Sequence, residues 1–376
     1  MYNTIYKKNY QEDNKPIQKG ILMTFKHVQK ILSVAIVSTI VLTGCAKAPS
    51  TVETTETTTI TESSEAASTE SETTYPIIIK HAFGETVIES KPERVATIAW
   101  GNHDLPLALG VMPVGISKAN YGVIDDSGIL PWTAAKIEAL GATGPVLFDD
   151  VAGLNFEAIA DVKPDVILAA YSGITQEQYD LLSEIAPVVA YPTLAWQTLW
   201  RDQIILNATG MGMQSEGEAL VKSLESLIAE KVSDYPQIQG KKTAFFYFNP
   251  ADLGKFYVYL PSDPRSAYLL DLGMTFPDSV LALTDDTSSF AIELSAENAD
   301  LLKDIDIMIT YGNETLLTAM QADALIGTIP AVQRGSVAFI EDGTPLAASA
   351  TPSALSIEVT IDEYLKIIGE AADQVK

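Results

Sequence analysis

The chain has 376 residues, with 49 acidic against 24 basic side chains, a formal net charge of −25 and a single cysteine. So acidic a balance excludes nucleic acid and anionic lipid surfaces as electrostatic partners, and the lone Cys45 excludes a disulfide framework. Beyond residue 44 only His81 and His103 remain as imidazoles, which argues against a bare-ion site built from gathered histidines.

The first element in chain order is "ILSVAIVSTIVL", residues 31–42, an uncharged apolar run preceded by Lys26 and Lys30 and followed by "LTGC". It is too short for a permanent membrane span and has the form of a secretory leader over residues 1–44. Such runs sit close to the start, so Met23 is an alternative initiator, with residues 1–22 otherwise an unusually long basic region. The ending resembles a bacterial lipobox, which implies lipidation at Cys45 with diacylglyceryl and palmitate. Loss of residues 1–44 removes six lysines and two acids, leaving 332 residues with 18 basic and 47 acidic side chains, a net charge of −29. That length suffices for two lobes with cores of their own.

Residues 45–75 are rich in Thr, Ser and Glu and nearly devoid of apolar side chains. Too little surface can be buried to offset ordering entropy, so an extended, solvated tether is expected, its length suggesting the surface of a Gram-positive cell. "TYPIIIKHAFGETVIE" then alternates as a hairpin does, with Gly84 at the turn. The apolar runs at 94–99, 114–117, 165–170 and 187–191 are separated by helical patterns, which predicts a largely parallel sheet in an N-terminal α/β lobe, 76–197. A 3.6-residue period over 198–232 predicts a long linking helix, weakened at Gly210, Gly212 and Gly217. Strand and helix then alternate again through a C-terminal α/β lobe, 233–376.

One phrase is written twice. "LNFEAIADVKPDVIL" (154–168) and "LSAENADLLKDIDIMI" (294–309) each place a Glu six residues before a Lys and shortly before a strand: Glu157, Lys163, Asp165, and Glu297, Lys303, Asp306. Asn155 and Ser295 stand where they would cap the helices carrying these glutamates, a helix-start pattern that also occurs without any function. One copy on each side of the linking helix implies two lobes related by approximate two-fold symmetry.

These stretches, with "PERVATIAWGNHDLPLALGVMPVGI" (92–116) and "EIAPVVAY" (184–191), resemble the iron-siderophore substrate-binding lipoproteins of ABC importers across the body from about residue 76. The resemblance implies the class III periplasmic-binding-protein fold: two Rossmann-like α/β lobes with mostly parallel sheets joined by one long α-helix. It further implies a membrane-anchored monomer outside the cytoplasm with no cofactor, carrying a ferric siderophore to a permease and its ATPase. One surface glutamate per lobe docks on the permease in that family, and the matching positions are Glu157 and Glu297.

In open α/β sheets ligands bind off the carboxyl ends of the strands. Those ends supply Trp100, Asn102 and His103, then Tyr171 and Trp196, and in the second lobe Tyr259, Arg265 and Tyr311, with Arg201 at the head of the linking helix; a helix start is an equal reading of His103, and a solvated face of Arg201. Aromatic faces suit an apolar chelate, and Arg suits its oxygen donors. Haem or cobalamin is the alternative cargo, with His103, Tyr171 or a Met as axial ligand to haem, and a bare metal ion is less favoured. Neither a GxSxG elbow, a phosphate-binding loop nor an HExxH helix occurs, which speaks against an enzyme. The paired acids Asp149–Asp150 and Asp285–Asp286 are read as solvated loops.

Overall fold

The computed structural model describes residues 73–141, 143–286 and 288–375, so the expectations for the leader, for Cys45 and for most of the tether concern residues outside these. The hairpin is present as β1 (Ile77–His81) and β2 (Gly84–Ile88), paired antiparallel. Five short parallel strands follow: β3 (Val95–Thr97), β4 (Gly115–Ser117), β5 (Val146–Phe148), β6 (Val166–Ala169) and β7 (Val188–Ala190), in spatial order β5-β4-β3-β6-β7. The central pair β3 and β6 is buried at every position. That is why these strands read as unbroken apolar runs, since crossover helices cover both faces. Those helices are α1 (Asp104–Ala108), α2 (Pro131–Ala139), α3 (Phe156–Asp161) and α4 (Gln176–Ser183). The chain winds outward from β3 to β5, then resumes at β6 on the other side, so the switch point lies between β3 and β6.

The helical stretch expected over 198–232 is divided into α5 (Trp200–Gly210) and α6 (Gln214–Val232). The weakness expected at the glycines is a reversal rather than a kink: Arg201 at the head of α5 reaches back to Glu225 in α6, Nε to Oε1, at 2.6 Å. Gly217 permits the close helix crossing, since a Cβ there would lie 2.5 Å from that of Ala208. One long helix still links the lobes, because the 19 residues of α6 make a rod of about 28 Å. It packs on α5 and, near its end, pairs Lys231 with Asp362 of the C-terminal helix Ser356–Ala372 at 2.8 Å.

The second sheet has the order β10-β9-β8-β11-β12, from β8 (Thr243–Asn249), β9 (Asp252–Tyr259), β10 (Ala291–Ser295), β11 (Ile307–Tyr311) and β12 (Val337–Ile340). Here β9 runs antiparallel to both neighbours, so the lobes are related only approximately. One buried cluster joins Leu168 of β6, Trp200 and Leu224 of the linker, Phe245 of β8, Ile309 of β11 and Leu365 of the C-terminal helix. The two lobes therefore share a packed apolar base, each such side chain contributing about 2 kcal/mol of burial.

The repeated phrase has a structural meaning. The Asp165 carboxylate accepts the backbone N–H groups of Glu93 and Arg94 at 2.9 Å each, clamping the start of β3 beside β6. Asp306 accepts the Lys242 N–H at 2.9 Å and clamps β8 beside β11 in the same way. Arg94 donates to the carbonyls of Val162 and Lys163, and Arg334 to those of Ile305 and Asp306. The glutamates of the repeat are exposed. Glu157 lies in the first turn of α3, where Asn155 accepts the Ala158 N–H at 3.0 Å, and Glu297 lies in the first turn of the 3-10 helix Ala296–Leu302, where Ser295 accepts its N–H at 3.3 Å.

Candidate functional site

At the switch point of the first lobe, Asn102 is a hub. Its amide donates to Ile98 O at 2.8 Å and Tyr171 O at 2.9 Å, while its Oδ1 accepts from Tyr171 N at 3.1 Å, Asn207 Nδ2 at 2.9 Å and Gln203 Nε2 at 3.3 Å. It is 0% exposed with its polar atoms satisfied, so the expected ligand contact is instead the stitch that holds the loop after β3 to the loop after β6. His103 also turns inward, 5% exposed, with Nε2 3.3 Å from Thr133 Oγ1 and 3.4 Å from Asp104 Oδ1. Burial lowers its pKa against the pull of Asp104. The ring is a packed neutral imidazole, which also removes it as an axial haem ligand. Asp104 itself accepts Trp132 Nε1 at 3.0 Å, Thr133 Oγ1 at 3.1 Å and the Ser353 hydroxyl, a bond that ties the first lobe to the C-terminal segment.

Trp100, half-buried, packs against the buried cluster that contains Leu107, Leu130, Trp132 and Ala348, as does Tyr121. Tyr171 is 5% exposed, and its ring meets Trp196 edge-on at 5.3 Å, so it backs Trp196 from within rather than facing outward. Trp196 is half-buried, with a left-handed backbone (φ +62°) and its N–H bonded to Ser172 O at 3.0 Å. Its indole lies so close over residue 173 that only glycine fits: a Cβ on Gly173 would fall 2.1 Å from Nε1. Arg201 stands apart from this set. Its guanidinium lies 4.2 Å over the Trp200 ring and is bound to Asp271 at 2.9 Å and Glu225, at the junction of linker and second lobe.

From the second lobe come Tyr259, Arg265 and Tyr311. Arg265 opens the helix α7 (Pro264–Asp271), whose N-cap Asp263 accepts Arg265 Nε at 2.8 Å and Nη2 at 2.6 Å. The guanidinium lies 4.0 Å over the Tyr259 ring, and its charge also acts on the Tyr311 phenol. Burial pulls the Arg265 pKa down, but Asp263 and the two phenols more than reverse this, so the guanidinium stays charged. Burial pushes the Tyr259 and Tyr311 phenols up, so both stay neutral. Phe245 meets Tyr259 at 5.8 Å and Tyr311 at 5.0 Å, extending an aromatic wall on one sheet face. Tyr247 and Tyr257 continue that face, half-buried and 6.2 Å apart.

Tyr121 was absent from the expected set. Its ring meets Tyr311 at 6.5 Å, its hydroxyl donates to Asp342 at 2.6 Å and accepts Gly343 N at 3.2 Å, so it crosses from one lobe to the other. Gln197 makes a second crossing, Nε2 to Ser288 O at 2.7 Å. Reading the strand ends finds Tyr121 once the loop after β4 is included. Asp342 had no such signal, since its role depends on how the lobes meet.

Two α/β lobes on a shared base, facing each other with aromatic side chains at the ends of their strands, are the architecture of a solute-binding protein. Among the described residues no helix is long and apolar enough to cross a membrane. The chain belongs to the family described as Periplasmic binding protein, which its residues 95–343 match. Among solved structures it is similar to the Streptococcus pneumoniae TIGR4 PiaA in complex with ferrichrome: 54% identity, a TM-score of 0.77, and coverage of 80% of this chain and 100% of that one. It is 24% identical to the probable siderophore-binding lipoprotein YfiY of Bacillus subtilis over 90% of this chain and 98% of that protein. The Fe(3+) dicitrate-binding periplasmic protein FecB of Escherichia coli is 24% identical over 71% of this chain and 86% of its own length.

Proposed function

We propose that this protein captures a ferric siderophore between its lobes and delivers it to the permease of an ABC importer, and that the favoured ligand is an electrically neutral ferric hydroxamate of the ferrichrome kind. The observation that carries the choice of ligand is the clamp of Asp263 on Arg265. Arg265 is the cation of the aromatic wall, and Asp263, 1% exposed, cancels its charge at 2.6 Å. Three singly charged hydroxamates leave ferric iron neutral, whereas three doubly charged catecholates leave a trianion, which this wall would desolvate without compensation. The similarity to a ferrichrome-bound protein supports the same reading. Trp100, Tyr121, Trp196, Tyr259 and Tyr311 supply apolar faces for the chelate, and Arg265 can still offer an N–H edge to a hydroxamate oxygen.

The role is binding and delivery, without catalysis. Glu157 and Glu297, exposed at the starts of matching helices in the two lobes, fit paired basic pockets on a permease, where charge-assisted contacts fix register. Cys45 would bear the lipid that keeps the protein at the outer face of the cell membrane. Intrinsic Trp fluorescence tests the ligand. Saturable quenching by ferrichrome, with none by its iron-free form and weak response to a ferric tris-catecholate or ferric citrate, is expected. A response confined to haem, cobalamin or a bare metal ion refutes the reading.

A further inference from the structure

The paired acids at 149–150, which the sequence suggests are merely solvated, lie in different surroundings. Asp149 is exposed, with Oδ1 accepting Val151 N at 3.3 Å. Asp150 is half-enclosed just beyond the carboxyl end of β5, and its Oδ2 accepts the hydroxyl of Ser117, the last residue of β4. Ser117 is 6% exposed, and its Oγ accepts the backbone N–H of Ala99 at 2.9 Å. Ala99 stands in the left-handed region at φ +60°. A non-glycine residue is held there at a cost of about 1 kcal/mol, and persists only where its surroundings over-determine it. The next residue is Trp100, whose carbonyl is held from the other side by Gln203 Nε2 at 3.2 Å.

We infer that Asp150 is a positioning residue for the cleft: by orienting the Ser117 hydroxyl it fixes the left-handed turn at Ala99, and with it the direction in which Trp100 leaves β3. A carboxylate suits this task because it only accepts. The single Ser117 proton goes to Asp150, leaving the oxygen's lone pairs to the Ala99 N–H. The functional weight of this relay rests on the proposal that Trp100 lines the ligand site. Two side chains and one backbone N–H thus link β5, β4 and the turn after β3 across the carboxyl edge of the sheet, one of the side chains an acid whose neighbour in sequence plays no part.

The test is a near-ultraviolet circular dichroism band of the ligand-free protein assigned to Trp100 by difference from Trp100→Phe. Ser117→Ala and Asp150→Ala are expected to lose more than half of that band while still unfolding cooperatively, and Asp149→Ala to retain it. Ferrichrome binding to Ser117→Ala should weaken about tenfold, or about 1.4 kcal/mol. Adding Ala99→Gly to Ser117→Ala should recover part of both signals, since glycine takes the left-handed turn without penalty. Should the alanine variants fail to fold, Asp150→Asn, which keeps the shape but can donate to Ser117, gives the same comparison. A Trp100 band unchanged in the folded variants overturns the inference whether or not ferrichrome binds. A lost band in a protein whose wild type ignores ferrichrome upholds the relay and overturns the ligand reading alone.

Discussion

Replacing Gly173 by alanine isolates the placement of Trp196. The added Cβ would lie 2.1 Å from Nε1 and 2.5 Å from Cε2 of the indole, where ordinary contact begins at 3.4 Å, so the ring must retreat by 3.4 − 2.1 = 1.3 Å. Tyr171 stands behind it at 5.3 Å and the Trp196 backbone is already left-handed, so the displacement cannot be absorbed by a small local adjustment. Overpacking of this kind costs about 2 kcal/mol. With about 300 described residues and about 2.1 cal/mol/K of unfolding entropy per residue, that corresponds to a fall in Tm of about 3 °C. The displaced indole should also weaken ferrichrome binding at least about tenfold, or about 1.4 kcal/mol, read by fluorescence titration beside a thermal melt. An unchanged Tm and affinity would refute the packing argument. A lower Tm with full affinity would keep the packing and show that Trp196 is no part of the ligand site.

Truncating the hub with Asn102→Ala leaves several buried partners unsatisfied and should cost about 3 kcal/mol, seen as a lower urea midpoint at unchanged slope; a loss below about 1 kcal/mol would refute its role as a stitch. Burial lowers the pKa of His103 and of His81 below the ordinary 6.5, so on acidification the unfolded chain takes up protons first and stability falls as the pH drops below 6.5. Plotting Tm from pH 7 to 5 should show this, with a shallower slope in His103→Gln; an equal slope would contradict the buried neutral imidazole. The pair Glu157→Ala and Glu297→Ala should abolish ferrichrome uptake by cells while leaving its affinity intact, and normal transport by the double variant would dismiss the docking role. Small-angle scattering should record little change in radius of gyration on binding, because α6 and the shared apolar base resist wide hinge opening; a large compaction would contradict this.

Much of the frame is legible in the apolar runs. Val95–Thr97 and Val166–Ala169 show no polar alternation because both faces of their sheet are covered, and that alone marks a parallel α/β lobe. Direction is harder to read: "KFYVYL" resembles the other strands, yet it turns back on β8 after only a short connection. Over 198–232 the helical period continues through the Met211–Met213 break, since both α5 and α6 bury a stripe, so the reversal leaves only glycines as its trace. Strand ends pointed to Trp100, Trp196, Tyr259, Arg265 and Tyr311, which the fold brings to facing edges of the lobes. They also pointed to Asn102 and His103, two and three residues beyond Trp100, where the chain is turning into α1 and carries both side chains inward. Arg201 failed for another reason. Its partners Glu225 and Asp271 lie 24 and 70 residues on, and no local pattern announces them.

The two rim contacts, Tyr121 to Asp342 and Gln197 to Ser288, bear on speed. Each is a solvent-exposed bond with a net worth of about 1 kcal/mol, so together they favour the shut arrangement over the ajar one by about thirty to one. A ligand arriving by diffusion would then meet a receptive molecule in about 3% of encounters. The same latch delays departure by the same factor, so affinity is untouched while residence lengthens. Two bonds too weak to matter for folding are thus enough to slow exchange at the cleft without changing how tightly it binds.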